Sequence, residues 1–499
     1  MSLRPTRPAA KAAEYLRPGA AWHDLPPLDL LADGPALVDG TIAATTPSTT
    51  LRAHRLTAGA ASAATGVLAA GLLDAGVRPG DVVTWRVPNE PSVVLLYRAC
   101  WRIGAVAAPV HHRAGAAEVD AALAQVGPVV FLDGAADVGR IAAAGQGSPV
   151  PRGAIDVDPS SVAVVQFTAG STGRPKAVIH THRTLGYKAR SMVRVHGLGS
   201  SDVVLMPAPM AHVSGLLNGV LVPAVAGMTT VTMSTWDPGR ALSLVESERV
   251  SFMVGPQTFF IGMRDDAGFD PARVASLRLL SCGGAGVTPA FVESTAAAFD
   301  CTVKRTYGST EAPTVTTSYQ GDPMARARDT DGRATGAVEL QIGDGGELWL
   351  RGPEVCQGYA SDQDTRSRFT DYGWLRTGDL ATLEDGWLTI TGRLNDVIIR
   401  GGENIAAGEV EAVLEAHPAV QQAVAVGRPD DRLGERVCAF VVITPGASFG
   451  LDEARAWFEA RGVTRFKWPE RIEVVPDFPL LPAGKPDRAR LRDLASSGR

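Results

Sequence analysis

The sequence predicts an α/β protein with a large N-terminal domain of α/β sheets, a small β-barrel subdomain and a small α+β C-terminal domain, divided as 1–394 and 395–499. Three observations predict it. Short apolar runs alternate with helix-spaced segments before Ala334, hairpin signatures crowd 334–393, and a mixed texture begins after Asp396. Residues 60–75 place Ala, Val and Leu at helical spacing and stop at Gly76. Residues 81–85 read as a strand, 92–103 as a helix, and 106–110 and 129–132 as further short strands. Residues 145–153 form a Gly/Pro-rich linker. A Gly-Asp-Gly-Gly turn separates the apolar runs 338–342 and 347–350, and Asp385-Gly386 separates 380–383 from 387–390, as hairpins require. The tryptophans 349, 374 and 387 are expected to pack these hairpins. Beyond them come a helix at 409–416, strands at 423–426 and 437–443, a helix at 452–460 and a strand at 471–475.

Composition bounds the function. Among 499 residues, 45% are hydrophobic and 20% charged, the balance of a globular chain rather than a disordered one. The net charge is −5 with no basic stripe, which argues against a nucleic-acid partner. Five cysteines, with no Cys-x-x-Cys, argue against a disulfide framework or zinc site and for a reducing cytoplasm. The N-terminus lacks the apolar core of a signal peptide. Residues 203–236 contain no Asp, Glu, Lys or Arg, but Pro207, Pro209, His212, Asn218 and Pro223 interrupt them. A buried helix running into a buried strand is expected there, not a membrane span. Only six of the 48 basic residues are lysine: Lys11, Lys176, Lys188, Lys304, Lys467 and Lys485. Where Arg serves for plain charge, a retained Lys suggests a need for its compact amine.

Five motifs carry chemistry. An apolar run at 162–167 leads into Thr168-Ala169-Gly170-Ser171-Thr172-Gly173-Arg174-Pro175-Lys176, followed by a helix over 183–195 with Thr181 as its cap. Glycines let backbone N–H groups converge on phosphate oxygens, and the hydroxyls and Lys176 add donors. The spacing is not that of a Walker loop, and loop composition alone leaves phosphate binding and a plain strand–turn–helix link both open. Tyr307-Gly308-Ser309-Thr310-Glu311 offers an aromatic for a base, a hydroxyl for a phosphate and a carboxylate for Mg²⁺. Thr377-Gly378-Asp379 ends in an acid suited to ribose hydroxyls, Gly392-Arg393-Leu394-Asn395-Asp396 sits where the texture changes, and Gly484-Lys485 lies near the C-terminus.

Together with Pro209-Met210-Ala211-His212, these motifs follow the order of the adenylate-forming (AMP-binding) superfamily, and the chain resembles its acyl- and aryl-CoA synthetase branch over residues 60–492. The resemblance implies a two-step reaction. A carboxylate attacks the α-phosphate of ATP to give acyl-AMP and pyrophosphate, and the thiol of coenzyme A then displaces AMP. It also implies roles. Thr168, Gly170, Ser171, Thr172, Gly173 and Lys176 hold the leaving phosphates. Thr310 contacts the α-phosphate, and Glu311, with Thr172, serves Mg²⁺. Asp379 takes the ribose hydroxyls with Arg393 nearby, while Tyr307, Gly308, Gly283, Gly284 and Ala285 flank adenine and the acyl pocket. Lys485 arrives from the C-terminal lid to bridge carboxylate and α-phosphate. For the second step the lid rotates about Asn395, bringing Gly401 and Gly402 to the pantetheine channel. His212 is expected to line the acyl pocket or gate the thiol channel. His111, His112, His180 and His182 are expected to be structural or solvated, and Cys282 a small packed residue. Lys467 is a candidate for a CoA phosphate, and Lys11, Lys188 and Lys304 are expected to be solvated.

The expected protein is thus a cytoplasmic carboxylate–CoA ligase using ATP, Mg²⁺ and coenzyme A, with a homodimer as one assembly. Two alternatives stay open: a stand-alone enzyme loading a carrier-protein thiol, and an inactive nucleotide-binding regulator. Ala169, Ala177, Ala483 and Asn395 depart from the family's usual residues. Small residues at Gly215, Gly219, Gly284, Ala285 and Gly286 suggest room for a ring or medium-length chain, and no acid near His212 is placed to hold an α-amine.

Overall fold

The computed structural model describes residues 3–4, 11–28, 36–39, 55–149, 157–168, 175–284, 286–400, 403–430, 432–481 and 485–497. A first sheet has the order Val130–Leu132, Val82–Trp85, Val106–Pro109, Val162–Thr168, with Lys176–Thr181 antiparallel at its edge. Its parallel strands read as continuous apolar runs because both faces are covered. The helices Ala58–Asp74 and Ala135–Gly145 meet through glycine. A β-carbon on Gly71 would stand 1.9 Å from the Ile141 carbonyl oxygen, and one on Gly145 2.1 Å from that of Val67.

Among the described residues the second sheet has thirteen strands. Its parallel part runs Ala36–Asp39, Thr229–Thr232, Val203–Met206, Phe252–Gly255, Leu279–Gly283, Thr302–Tyr307. The hairpin region is hydrogen-bonded directly onto it, because Thr316–Thr317 pairs antiparallel with Tyr307 and Thr306. Arg333–Ala334, Trp387–Arg393, Leu375–Glu384, Glu347–Arg351 and Glu339–Ile342 continue outward. Asp385 and Gly386 both take left-handed φ, 52° and 82°, as the two-residue turn between long strands demands. A third sheet, starting at Val397, is built on the long pair Val420–Asp430 and Gly434–Ile443, with Arg471–Val474 parallel to the latter.

Three regions differ from the sequence reading. The Gly-rich loop joins two antiparallel strands rather than a strand and a helix, since Lys176–Thr181 pairs residue by residue with Val162–Thr168. The helix His182–His196 follows that second strand, and Thr181 caps it with a full capping box. The uncharged stretch 203–236 holds two strands around a helical segment, not a helix and one strand. Within it Leu217–Leu221 is π-helical, and the Val222 N–H reaches back to the Leu217 carbonyl. Proline at 223 has no N–H to give Gly219, whose carbonyl instead accepts the Thr230 hydroxyl at 3.0 Å. No described helix is long and apolar enough to cross a membrane.

The third difference concerns lysines. Lys188 is fully buried, ion-paired with an equally buried Glu354 at 2.9 Å, and it donates to the Thr335 hydroxyl and the Thr314 carbonyl. Lys304 is buried and donates to the Val195 carbonyl at 3.3 Å, while Lys11 pairs with Glu339 at 2.7 Å. These three are structural cations rather than solvated ones. Each finds a partner far away in sequence, which no local pattern reveals.

Candidate active site

The site lies beyond the C-terminal ends of the parallel strands in the second sheet, where open α/β folds place their ligands. Thr302–Tyr307 delivers Tyr307, and a tight turn follows. Ser309 and Ala312 exchange backbone hydrogen bonds at 3.0 and 3.2 Å, presenting Thr310 and Glu311 at the tip. Gly308 cannot be larger, because a β-carbon there would stand 2.2 Å from the Thr314 nitrogen.

Both acids of the site are buried and aimed. Asp379 accepts the Tyr307 phenol at 2.6 Å on one oxygen and the Arg393 Nε–H at 2.8 Å on the other. Burial, then the Asp379 carboxylate, pushes the Tyr307 phenol well above its usual pKa, so it remains a donor. Glu311 accepts the Tyr359 phenol at 2.6 Å, and its carbonyl accepts the Cys356 N–H at 2.7 Å. The Thr310 carbonyl accepts from His180 Nε2 at 2.8 Å. A carbonyl only accepts, so this contact fixes the Nε2–H tautomer. Burial holds His180 near a pKa of about 4, against the pull of Thr310 and Glu311.

Lys485 reaches this wall from the C-terminal domain. A β-carbon on Gly284 would stand 3.9 Å from its Cε. Burial, then the Arg393 charge, lowers its pKa, and Asp379 opposes them. Burial, then the Lys485 charge and that of His112, lowers the His212 pKa to about 4. Its Nε2 is buried with no hydrogen-bond partner among the described residues. The His212 ring lies 5.3 Å from that of His111, which stacks on His112 at 4.6 Å. Asn89 fixes the loop leading to His212: its amide donates to the Ala208 carbonyl at 2.6 Å and accepts the Met210 N–H at 2.8 Å.

Comparison with known proteins now decides the family. Residues 33–360 match the model described as AMP-binding enzyme, and 409–485 that described as AMP-binding enzyme C-terminal domain. The chain belongs to the AMP-binding enzyme family. Among its curated relatives, the medium-chain fatty-acid–CoA ligase of Escherichia coli (strain K12) is 31% identical over 471 residues, covering 85% of this chain and 83% of that protein. A feruloyl-CoA synthase of an Amycolatopsis species is 34% identical over 441 residues, covering 84% and 89%. Among solved structures, the o-succinylbenzoate CoA synthetase of Bacillus subtilis, in complex with its acyl-adenylate intermediate, superimposes with a TM-score of 0.77. It is 25% identical and covers 88% of this chain and 93% of that one.

In this AMP-binding enzyme the structure brings Tyr307, Gly308, Thr310, Glu311, Asp379, Arg393, Gly283, Gly284, His212 and Lys485 to one site. Thr168 and Lys176 face each other across the strand pair that flanks the glycine loop. Gly170, Ser171, Thr172, Gly173, Ala285, Gly401 and Gly402 lie outside the described residues, as do Ala169 and Ala483. Two expected pocket-widening glycines have another purpose. A β-carbon on Gly215 would meet the Pro209 carbonyl oxygen at 2.2 Å, and one on Gly219 the Met206 side chain at 2.8 Å, so both permit close packing. Lys467 is ion-paired with Glu409, and Cys282 is packed in the core with its thiol pKa raised by burial.

Sequence reasoning missed Tyr359 and Arg368, while His180, expected to be structural or solvated, is buried and holds the Thr310 carbonyl. Arg368 donates to the Thr377 carbonyl at 2.9 Å and lies in the field of Glu311 and Asp379. Only Tyr359 left a trace, in the Gly358-Tyr359 pair just before a capped helix. The Glu311 carboxylate fits Mg²⁺, which binds through one or two carboxylates together with substrate phosphates: it is buried, with one oxygen taken by Tyr359.

Proposed function

We propose that the chain is an ATP-dependent carboxylic acid–CoA ligase that forms acyl-AMP with release of pyrophosphate and then transfers the acyl group to coenzyme A. The observation that carries this reading is Lys485, brought from the C-terminal domain to Gly284, beside a wall that already holds Asp379 and Glu311 in fixed geometry.

The first step makes two anions meet, so its barrier falls through positioning and cations aimed at developing charge. Asp379, pinned by Tyr307 and Arg393, accepts the ribose hydroxyls and sets the nucleotide's register. The Thr310 hydroxyl bonds the α-phosphate. Lys485 donates to the attacking carboxylate and the α-phosphate together, and Lys176, with the glycine loop, takes the leaving phosphates. Glu311, aided by Thr172, is the residue to hold Mg²⁺, which supplies charge neutralisation at the phosphates when bound. In the second step the lid turns about the Asn395 segment. Lys485 withdraws, and Gly401 and Gly402 approach the thiol channel beside His212. Neutral at pH 7, His212 adds no further charge beside Lys485.

The acid is a hydrophobic one, a ring or a medium-length chain. A β-carbon on Gly286 would meet nothing within 4 Å and one on Gly284 only the Lys485 Cε at 3.9 Å, which leaves room beside Lys485, and the relatives' acids are of these kinds. We place the reaction in the cytoplasm, with free small molecules as substrates. The test is pyrophosphate release with CoA across aliphatic, alicyclic and aromatic acids. A phosphopantetheinylated carrier protein tested as a parallel acceptor separates the carrier-loading alternative. Acid-dependent pyrophosphate release followed by acyl-CoA formation supports the proposal, and its absence with every acid contradicts it.

A further inference from the structure

We infer that Asp364 is the resident counter-ion of Lys176 and a determinant of pyrophosphate affinity: Lys176 trades the Asp364 carboxylate for a phosphate when nucleotide binds and returns to it as pyrophosphate leaves. This rests on the reading of Lys176 as a ligand of the leaving phosphates. Lys176 Nζ lies 3.0 Å from Asp364 Oδ1, with the two side chains 27% and 31% exposed. The contact is therefore exchangeable. A partly hydrated pair gains little over its separated ions, whereas the Lys188–Glu354 pair, with both members at 0%, has no solvent through which to trade partners.

The seat of Asp364 is fixed. Its N–H donates to the Ser361 hydroxyl at 3.2 Å, the N-cap of the helix Asp362–Arg368. The next residue, Thr365, accepts the Tyr359 N–H at 2.9 Å. Lys176 Nζ also lies 5.6 Å from the centre of the Tyr359 ring, whose hydroxyl holds Glu311. Asp364 thus marks the end of a line from the Glu311 carboxylate through the Tyr359 ring to the Lys176 ammonium. A carboxylate there competes with any phosphate for the same cation. It raises the threshold for binding and, after chemistry, gives the lysine a partner as the product departs.

The test is binding of inorganic pyrophosphate by calorimetry, together with its inhibition of acid-dependent ATP–pyrophosphate exchange. Asp364→Asn is expected to tighten pyrophosphate binding and lower the KM for ATP, each by about two- to five-fold. Asp362→Asn removes the same charge from an exposed position in the same helical turn and is expected to change neither. In a Lys176→Ala background the Asp364→Asn effect is expected to vanish. Unchanged or weaker pyrophosphate binding in Asp364→Asn would overturn the inference, as would an equal effect from Asp362→Asn or persistence of the effect without Lys176. Wild-type protein that neither binds pyrophosphate nor exchanges it with any acid would instead overturn the ligase reading itself.

Discussion

The two sides of the site are held in different ways. On the wall, each acid has its orientation fixed before any ligand arrives: Asp379 by two side-chain hydrogen bonds, Glu311 by one and by a backbone clamp. Lys485, opposite, forms no ion pair among the described residues. Its segment is tied by backbone contacts, with its carbonyl accepting the Leu481 N–H and Asp487 donating to the Pro479 carbonyl, each at 2.8 Å. Asp379 attracts it, while Arg393 and burial oppose its charge. The two acids are thus preorganised, whereas the position of Lys485 depends on where the C-terminal domain sits. An enzyme that needs the cation for one half-reaction and not for the other benefits from that division.

The largest effect on the fixed side is expected from Asp379→Asn, which disturbs both of its partners. Hydrogen bonds to charged groups contribute about 1.5–3 kcal/mol, so the KM for ATP should rise by roughly 10- to 100-fold, as read in ATP–pyrophosphate exchange. A rise below twofold would mean that the wall is not preorganised for nucleotide. Tyr359→Phe is a smaller break. It frees the Glu311 carboxylate at a cost of about 1 kcal/mol, and the Mg²⁺ midpoint for exchange should rise about fivefold. An unchanged midpoint would separate Tyr359 from the metal-binding geometry.

The smallest expected effect lies in the C-terminal domain. Burial, reinforced by Glu411, raises Glu415 to a pKa of about 8, against the Ala423 N–H and Arg488. The folded domain keeps this proton while the unfolded chain releases it near its usual value. Stability therefore falls as pH rises from about 4.5 to 8, and the penalty is complete above that window. Glu415→Gln should flatten this part of the thermal midpoint profile, measured at pH 5, 6.5 and 8. A slope matching wild type would show that Glu415 is not the group responsible.

Much of the wall was legible because its determinants are local. The Asp385-Gly386 turn, the Thr181 cap and each motif taken singly depend on residues within a few positions of one another. What was not legible depends on distant partners. Nothing near Lys188 announces Glu354, and nothing near Glu311 announces Tyr359. The strand Lys176–Thr181 was hidden because its glycine-rich approach reads as a loop into a helix, while its pairing is set by the preceding strand. Gly215 and Gly219 show the limit of reading small residues as open space: the same absence of a side chain serves a neighbouring backbone or a methionine equally well.

Lys485→Ala tests most directly whether Lys485 is a cation delivered for the first half-reaction. The measurement compares acid-dependent ATP–pyrophosphate exchange with transfer of the acyl group from pre-formed acyl-adenylate to CoA in the same protein. Loss of one positioned donor at developing charge costs about 10²–10³-fold in rate. The account predicts a loss of that order in exchange and a much smaller one in transfer. Equal losses in both steps, or unimpaired exchange, would contradict it.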